Sequence, residues 1–356
     1  MARTRLVSTW LFVSAALVVT MVGVGGVTRL TRSGLAIVEW NPVSGALPPL
    51  SRAAWQEAFD AYRASPEGRL VNSGLDLGGF QRIFLVEWLH RLLGRLIGFL
   101  FFVPWLVFTV RRQLTRAQSL RYLGWFALGG LQGALGWYMV KSGLVDVPRV
   151  SPYRLTAHLL LALLVYSGLL WEALRLWRPR DQVPLATAPT WPARAFVPLL
   201  VLAISWGGFM AGFKAGWLSD TFPLMAGEWV PSRFWAGAGP LGVVTNAFLV
   251  HFTHRLLGLS VAAMGVVVFA MAWRARPAER RAASGVMLLA LLQATLGVLT
   301  VWTHVPIALA VAHQVNAAVL VGASLVLVYL QPSRRSRPSS IPAATDRCAP
   351  ALRGEG

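Results

Sequence analysis

Eight runs of predominantly apolar residues recur along the chain, at roughly 8–28, 83–110, 120–140, 154–176, 195–213, 244–273, 283–302 and 307–330. A helix of about 20 such residues crosses the hydrocarbon core of a bilayer. In lipid a helix satisfies its own backbone hydrogen bonds, so the pattern predicts an all-α integral membrane fold with eight transmembrane helices. The start, MARTR followed by an apolar run, has the outline of a signal peptide. The run from Leu11 to Val27 is long and no small-residue cleavage site follows, so an uncleaved first span is expected. Within the first long connection, AAWQEAFDAYRA has the spacing of an amphipathic helix lying along the interface. The connection before the sixth run holds DTFPLMAGEWVP, rich in turn formers and aromatics, and is expected to cap what lies beneath it. The last stretch, PSRRSRPSSIPAATDRCAPALRGEG, is polar and Pro/Ser-rich, and is expected to be disordered.

Composition agrees with this picture: at 56% hydrophobic and 13% charged, the chain is too apolar for an ordinary soluble domain. The net charge of +19 adds an orientation. Arginines cluster before the first run (Arg3, Arg5), between the second and third (Arg111, Arg112, Arg116, Arg121) and between the fourth and fifth (Arg175, Arg178, Arg180, Arg194). They return between the sixth and seventh (Arg274, Arg276, Arg280, Arg281) and after the eighth (Arg334, Arg335, Arg337). All these segments fall on one side, the cytoplasmic side by the positive-inside rule, with both termini there. No basic face interleaved with aromatics stands apart from the spans, so the bilayer and not nucleic acid is the expected partner. The single cysteine, Cys348, excludes an intramolecular disulfide, a thiolate cluster and haem attachment through paired cysteines.

The two halves repeat. QGALG (132–136) answers QATLG (293–297), and TAHLLLALL (156–164) answers VAHQVNAAVL (311–320). His90-Arg91 answers His254-Arg255, and VGGVTRL (24–30) loosely answers WGGFMAG (206–212). Order is kept and four spans separate each pair, which preserves orientation. This is a parallel duplication of a four-helix unit and not an inverted transporter repeat. The expected organisation is an N-terminal half (1–180), a cytoplasmic linker (181–194), a C-terminal half (195–332) and a cytoplasmic tail (333–356).

Four of the six histidines belong to the repeat: His90, His158, His254 and His313, on alternate spans that all run from outside to inside. His90 lies 21 residues before Arg111, His158 17 before Arg175, His254 20 before Arg274 and His313 21 before Arg334. At about 1.5 Å per residue, all four sit roughly 25–32 Å from the cytoplasmic arginines, near the outer edge of the hydrocarbon core. A lone histidine between helices is ordinarily a hydrogen-bonded polar group. Two pairs at matched depth suit the two axial positions of a haem iron better. Zinc fits less well, because each half offers few other ligands and no thiolate. His251, three residues before His254, could join a metal site, and His304 near the same level could supply a hydrogen bond or proton path.

Arg91, Arg95 and Arg255 follow the histidines at the outer interface. They suit haem propionates, or alternatively snorkel to headgroups, with Arg91 pairing to Glu87 at i,i+4. The halves differ one turn before the histidine, where the first has Glu87 and the second His251. A carboxylate beside a porphyrin can move protons or stabilise positive charge on the macrocycle. The second half, lacking it, is expected to serve electron transfer or structure. A purely structural pairing of Glu87 with Arg91 remains open at this point.

EWLHRLLGR, SPYRLTAHLLLALL, TRSGLAIVEWNPVSGALPPL, DTFPLMAGEW, HFTHRLLG and VPIALAVAHQ together resemble the haem A synthase family, over nearly the whole chain to about residue 330. The chain is more similar to the proteobacterial and mitochondrial branch, since the cysteine pair of the other branch's first outer loop is missing. The resemblance implies oxidation of the C8 methyl group of haem O to the formyl group of haem A, destined for cytochrome c oxidase. It implies a substrate site at Glu87, His90 and His158 and a haem b cofactor held by His254 and His313. Thr253 departs from the more polar residue expected before His254. The resemblance also implies a bacterial inner-membrane location with haem sites towards the periplasm, a haem O synthase and an electron donor as partners, and possible homo-oligomers. A bis-histidine electron carrier would place haems near opposite faces, whereas these four histidines share one. A haem transporter or chaperone is the third class, and the Glu87/His251 difference weighs against it.

Overall fold

A computed structural model describes residues 2–39, 44–144, 148–235 and 238–332. Arg334, Arg335, Arg337, Cys348 and the expected disordered tail lie outside the described residues, as does the Trp40–Val43 part of the first outer connection. Among the described residues the chain is helical, with no strand beyond one isolated bridge between Met225 and Glu228. The α-helices are α1 (Ala2–Leu30), α2 (Arg52–Ala64), α3 (Pro66–Leu70), α4 (Leu77–Val110), α5 (Arg116–Gly143) and α6 (Pro152–Trp177). They continue as α7 (Trp191–Gly212), α8 (Gly242–Thr245), α9 (Ala247–Ala272), α10 (Pro277–Trp302) and α11 (Ile307–Leu330).

Seven helices are long and apolar enough to cross a membrane: α1, α4, α6, α7, α9, α10 and α11. At 28 residues α5 matches them in length, but its glycines, Gln132 and terminal Arg116, Arg121 and Lys141 make it less apolar. The helices overrun most of the apolar runs because polar caps and prolines, not hydropathy, set their ends. Asp76 caps α4 through its side chain onto the Gly79 amide. Thr115 and Gln118 form a reciprocal capping box on α5, and Asn246 caps α9. Prolines open α6, α7 and α10, where a missing N–H leaves nothing unsatisfied.

The long helices pack as two rings. In one, α1 touches α4 and α6, and α5 lies between α4 and α6; in the other, α7 touches α9 and α11, and α10 lies between α9 and α11. The rings meet where α6 packs on α7 and where α11 packs on α1 and α6. Lipid chains offer helices no hydrophobic driving force to associate, so close backbone approach and polar contacts hold the seam. Gly208 and Gly212 of α7 lie directly against Thr156 and Pro152 of α6. Across the other contact Gln314 of α11 donates 2.7 Å to the Val22 carbonyl of α1. A Cβ at Gly26 would meet that same amide at 3.1 Å.

The arginine-rich connections gather at one end of the bundle. There Glu172 accepts from Arg121 and Arg175. Buried Glu279 accepts from Arg276 at 2.6 Å and from the Thr187 and Ala188 amides. The 187–188 segment is thereby tied to the start of α10. At the other end, the amphipathic stretch forms α2. Its apolar face packs Trp55, Phe59 and Tyr62 onto Phe80 and Phe84 of α4. The apolar face of α2 thus props the N-terminal extension of α4, which begins six residues before the apolar run.

Candidate functional site

Each of the four repeat histidines sits opposite a glycine of the neighbouring helix. A Cβ at Gly207 (α7) would lie 3.2 Å from Cε1 of His254 (α9), and one at Gly297 (α10) 3.0 Å from Cε1 of His313 (α11). A Cβ at Gly136 (α5) would lie 3.0 Å from Cε1 of His158 (α6), and one at Gly25 (α1) 3.5 Å from Cε1 of His90 (α4). The imidazoles therefore lie against bare backbone, in cradles that most side chains would fill.

In the second ring, His254 and His313 face each other with ring centroids 6.3 Å apart and planes at 81°. Two imidazoles sharing one metal, each nitrogen about 2 Å from it and each ring centre roughly 1 Å behind, need about 6 Å between centroids. Nδ1 of His254 is 3.1 Å from the Ala203 carbonyl, which can only accept, so Nδ1 carries the proton and Nε2 the lone pair. The residues fit a bis-histidine haem on spacing and cradle, and His254 also on tautomer. Among the described residues no cluster of three or more His, Cys, Asp or Glu offers an alternative metal site.

In the first ring, the Thr28 hydroxyl donates 2.9 Å to the Val24 carbonyl and lies 3.2 Å from Nδ1 of His90. Its one proton is committed, so it accepts from Nδ1–H and leaves the Nε2 lone pair of His90 available. His158 comes within electrostatic range of His90. Its Nδ1 lies near the Gln132 carbonyl but makes no hydrogen bond of ordinary length and angle.

The carboxylate and arginines form clamps on the loops at the end of the bundle away from the arginine-rich connections. Glu87, 3% exposed, accepts from the Ile37 amide at 2.8 Å and from Arg91 at 2.7 and 3.1 Å. Arg91 in turn donates to the carbonyls of Ile37 and Glu39. Arg255 repeats the arrangement in the second ring, donating to Nε2 of His251 at 3.0 Å and to the carbonyls of Ser219 and Leu224. The DTFPLMAGEWVP loop is thus pinned over the N-terminal end of α9, with Met225 buried beneath it. Nε2 of His251 accepts from Arg255, so this imidazole serves the clamp. His304 is exposed and pairs with Asp220 at 3.2 Å. Arg95 lies one turn beyond Arg91 on α4, half-buried. Beside the first clamp, Ile37, Val38, Glu39, Arg91, Trp137 and Lys141 line a cleft of about 280 Å³.

The family model for COX15-CtaA, described as cytochrome oxidase assembly protein, matches residues 8–325. The chain belongs to the COX15-CtaA family. Curated relatives include the haem A synthase of Nitrosospira multiformis, 44% identical over 333 residues that cover 90% of this chain and 91% of the relative. Those of Rhodospirillum centenum (43% identical; 90% and 87% covered) and Caulobacter vibrioides (40% identical; 92% and 96% covered) are similar over a comparable length.

In this COX15-CtaA chain the sequence reading missed three of the four cradle glycines, Gly25, Gly207 and Gly297. The fourth, Gly136, entered only as part of the repeated QGALG string. The signal was present, since Gly25/Gly207 and Gly136/Gly297 occupy matching positions of the repeat. It also missed Thr28 and the Ile37 amide, whose roles depend on a loop fold that no spacing encodes.

Proposed function

We propose that this protein is a haem A synthase, a membrane enzyme that oxidises the C8 methyl group of haem O to the formyl group of haem A for cytochrome c oxidase. Its relatives along nine-tenths of its length bear that name. In this reading α5 is the eighth span, both termini are cytoplasmic, and the haem sites lie towards the periplasmic face of the inner membrane. The N-terminal half holds the substrate and the C-terminal half holds haem b.

The observation that carries the division of labour is the Glu87/His251 difference between two otherwise matching clamps. His90 and His158 would hold the substrate iron, and His254 and His313 the cofactor iron. When bound, haem iron supplies redox chemistry. Methyl to formyl is a four-electron oxidation. Each of two successive hydroxylations consumes one dioxygen, two electrons from a donor and two protons and releases water, and the resulting hydrate then loses water to give the aldehyde. Glu87 brings negative charge one turn from His90. Its oxygens are taken up by Arg91 and the Ile37 amide, so a field effect on developing positive charge needs no rearrangement, whereas proton transfer would break the clamp. Arg91, Arg95 and Arg255 bring positive charge to the outer end of each pair, as haem carboxylates require. The cleft beside Arg91 is small against a whole porphyrin and suits only its polar edge.

Purified protein given haem O, a reductant and dioxygen should yield haem A, identified by chromatography of extracted pigment. A protein that binds haem yet leaves haem O unchanged under these conditions would favour an electron carrier or a haem transporter.

A further inference from the structure

The two halves differ around the second histidine of each pair. In the C-terminal half, Asn316 is buried one turn after His313. Its Nδ2 donates 3.0 Å to the Leu289 carbonyl and 2.7 Å to Oε1 of Gln293. The Leu289 carbonyl can only accept, which fixes the Asn316 amide. That in turn fixes Gln293 with its oxygen towards Asn316 and its N–H groups towards His313. Nε2 of Gln293 lies 3.3 Å from Nδ1 and 3.1 Å from Nε2 of His313. The near-equal distances place the amide nitrogen over the face of the imidazole and not in line with either ring lone pair, so it fixes the ring plane and leaves the Nε2 lone pair available.

Among the described residues the N-terminal half has no such brace. Leu161 stands where the repeat places Asn316. The matching glutamine, Gln132, turns to the His158 backbone carbonyl at 3.0 Å, and its own Oε1 is buried without a partner. Both imidazoles lie near the backbone carbonyl of their glutamine, but only the second ring adds a side-chain amide held against the imidazole.

We propose that Asn316 and Gln293 are positioning residues that hold the His313 ring near-perpendicular to His254, and that this brace makes the C-terminal half the one that retains its haem. The inference rests on reading that half as the haem b site. A cofactor must stay through many turnovers, whereas a substrate must leave as product. Outer partners that orient a ligating histidine typically change metal affinity by about 10- to 100-fold.

The test uses the full-length protein with its own haem B. Near-perpendicular imidazole planes give ferric low-spin haem a highly anisotropic EPR signal, and parallel planes give a rhombic one. Asn316→Leu, which copies the first half, and Gln293→Met, which keeps length without a donor, should both shift the signal towards rhombic. Both should also speed haem transfer to apomyoglobin by about 10-fold or more. Leu161→Asn should leave the haem B signal unchanged. Wild-type EPR anisotropy and transfer rate in both brace variants would overturn the proposal. A haem B signal that survives His254→Ala would instead overturn the site reading, and the inference with it.

Discussion

Adding one methyl group at each cradle glycine gives a graded test of whether the four histidines act as paired ligands. Apolar carbons prefer separations of about 3.5–4.0 Å. In Gly297→Ala and Gly136→Ala the new Cβ would stand 3.0 Å from Cε1 of the facing histidine; in Gly207→Ala the distance is 3.2 Å and in Gly25→Ala 3.5 Å. The first two rings must therefore give by a few tenths of an ångström, the third by less, and the fourth hardly at all. Overpacking of this kind typically costs 1–3 kcal/mol, and each ~1.4 kcal/mol is a factor of ten in affinity. Alanine also favours the helix over glycine by about 1 kcal/mol, so the bundle itself is not weakened. Gly297→Ala should then weaken haem B binding by about 10- to 100-fold with helicity intact, and Gly207→Ala by less. Gly136→Ala should suppress haem A formation while Gly25→Ala largely preserves it. The assay is haem content and haem transfer rate, with circular dichroism as the control. Wild-type haem B affinity in Gly297→Ala, or equal damage from Gly25→Ala and Gly136→Ala, would refute the ligand assignment.

Arg255→Ala should free the Ser219–Leu224 loop from α9, seen as faster amide exchange across that loop with haem B still bound. Glu87→Ala should likewise loosen residues 36–39, whereas Glu87→Gln keeps an acceptor for the Ile37 amide and should leave their exchange near wild type. Burial raises the Glu67 carboxyl above its ordinary range, with Lys214 and Arg32 opposing. Its folded form therefore binds a proton more tightly than the unfolded chain, so its stability contribution is full below the unfolded value and is lost as pH rises through the folded one. Exchange of the α2–α3 amides, corrected for intrinsic rates, should accelerate over that window and lose this dependence in Glu67→Gln; unchanged pH dependence in the variant would contradict the assignment.

The helical character was legible because lipid imposes a simple rule: long apolar runs must close their own hydrogen bonds. The run 307–330 coincides with α11, while α4 begins six residues before its run because Asp76 and the Phe80–Phe84 aromatics extend it outward. Histidine depth could be counted from the arginines, since rise per residue is nearly constant in a helix. What the counting could not reach was rotation about the helix axes and the course of the loops. The amides and carbonyls of residues 36–39 close the Glu87–Arg91 clamp, and their position depends on backbone turns with no periodic signal. The brace on His313 was equally hidden, because Asn316 reads as an ordinary polar residue within an apolar span until Leu289 and Gln293 are seen beside it.

The central claim, chemistry in the N-terminal half and a retained haem b in the C-terminal half, is tested most directly by extracting pigments from Glu87→Gln and His254→Ala proteins and separating haems B, O and A by chromatography. Glu87→Gln is predicted to keep haem B, accumulate haem O or a partly oxidised form and lose haem A, while His254→Ala loses haem B. Normal haem A from Glu87→Gln, or undiminished haem B in His254→Ala, would contradict the account.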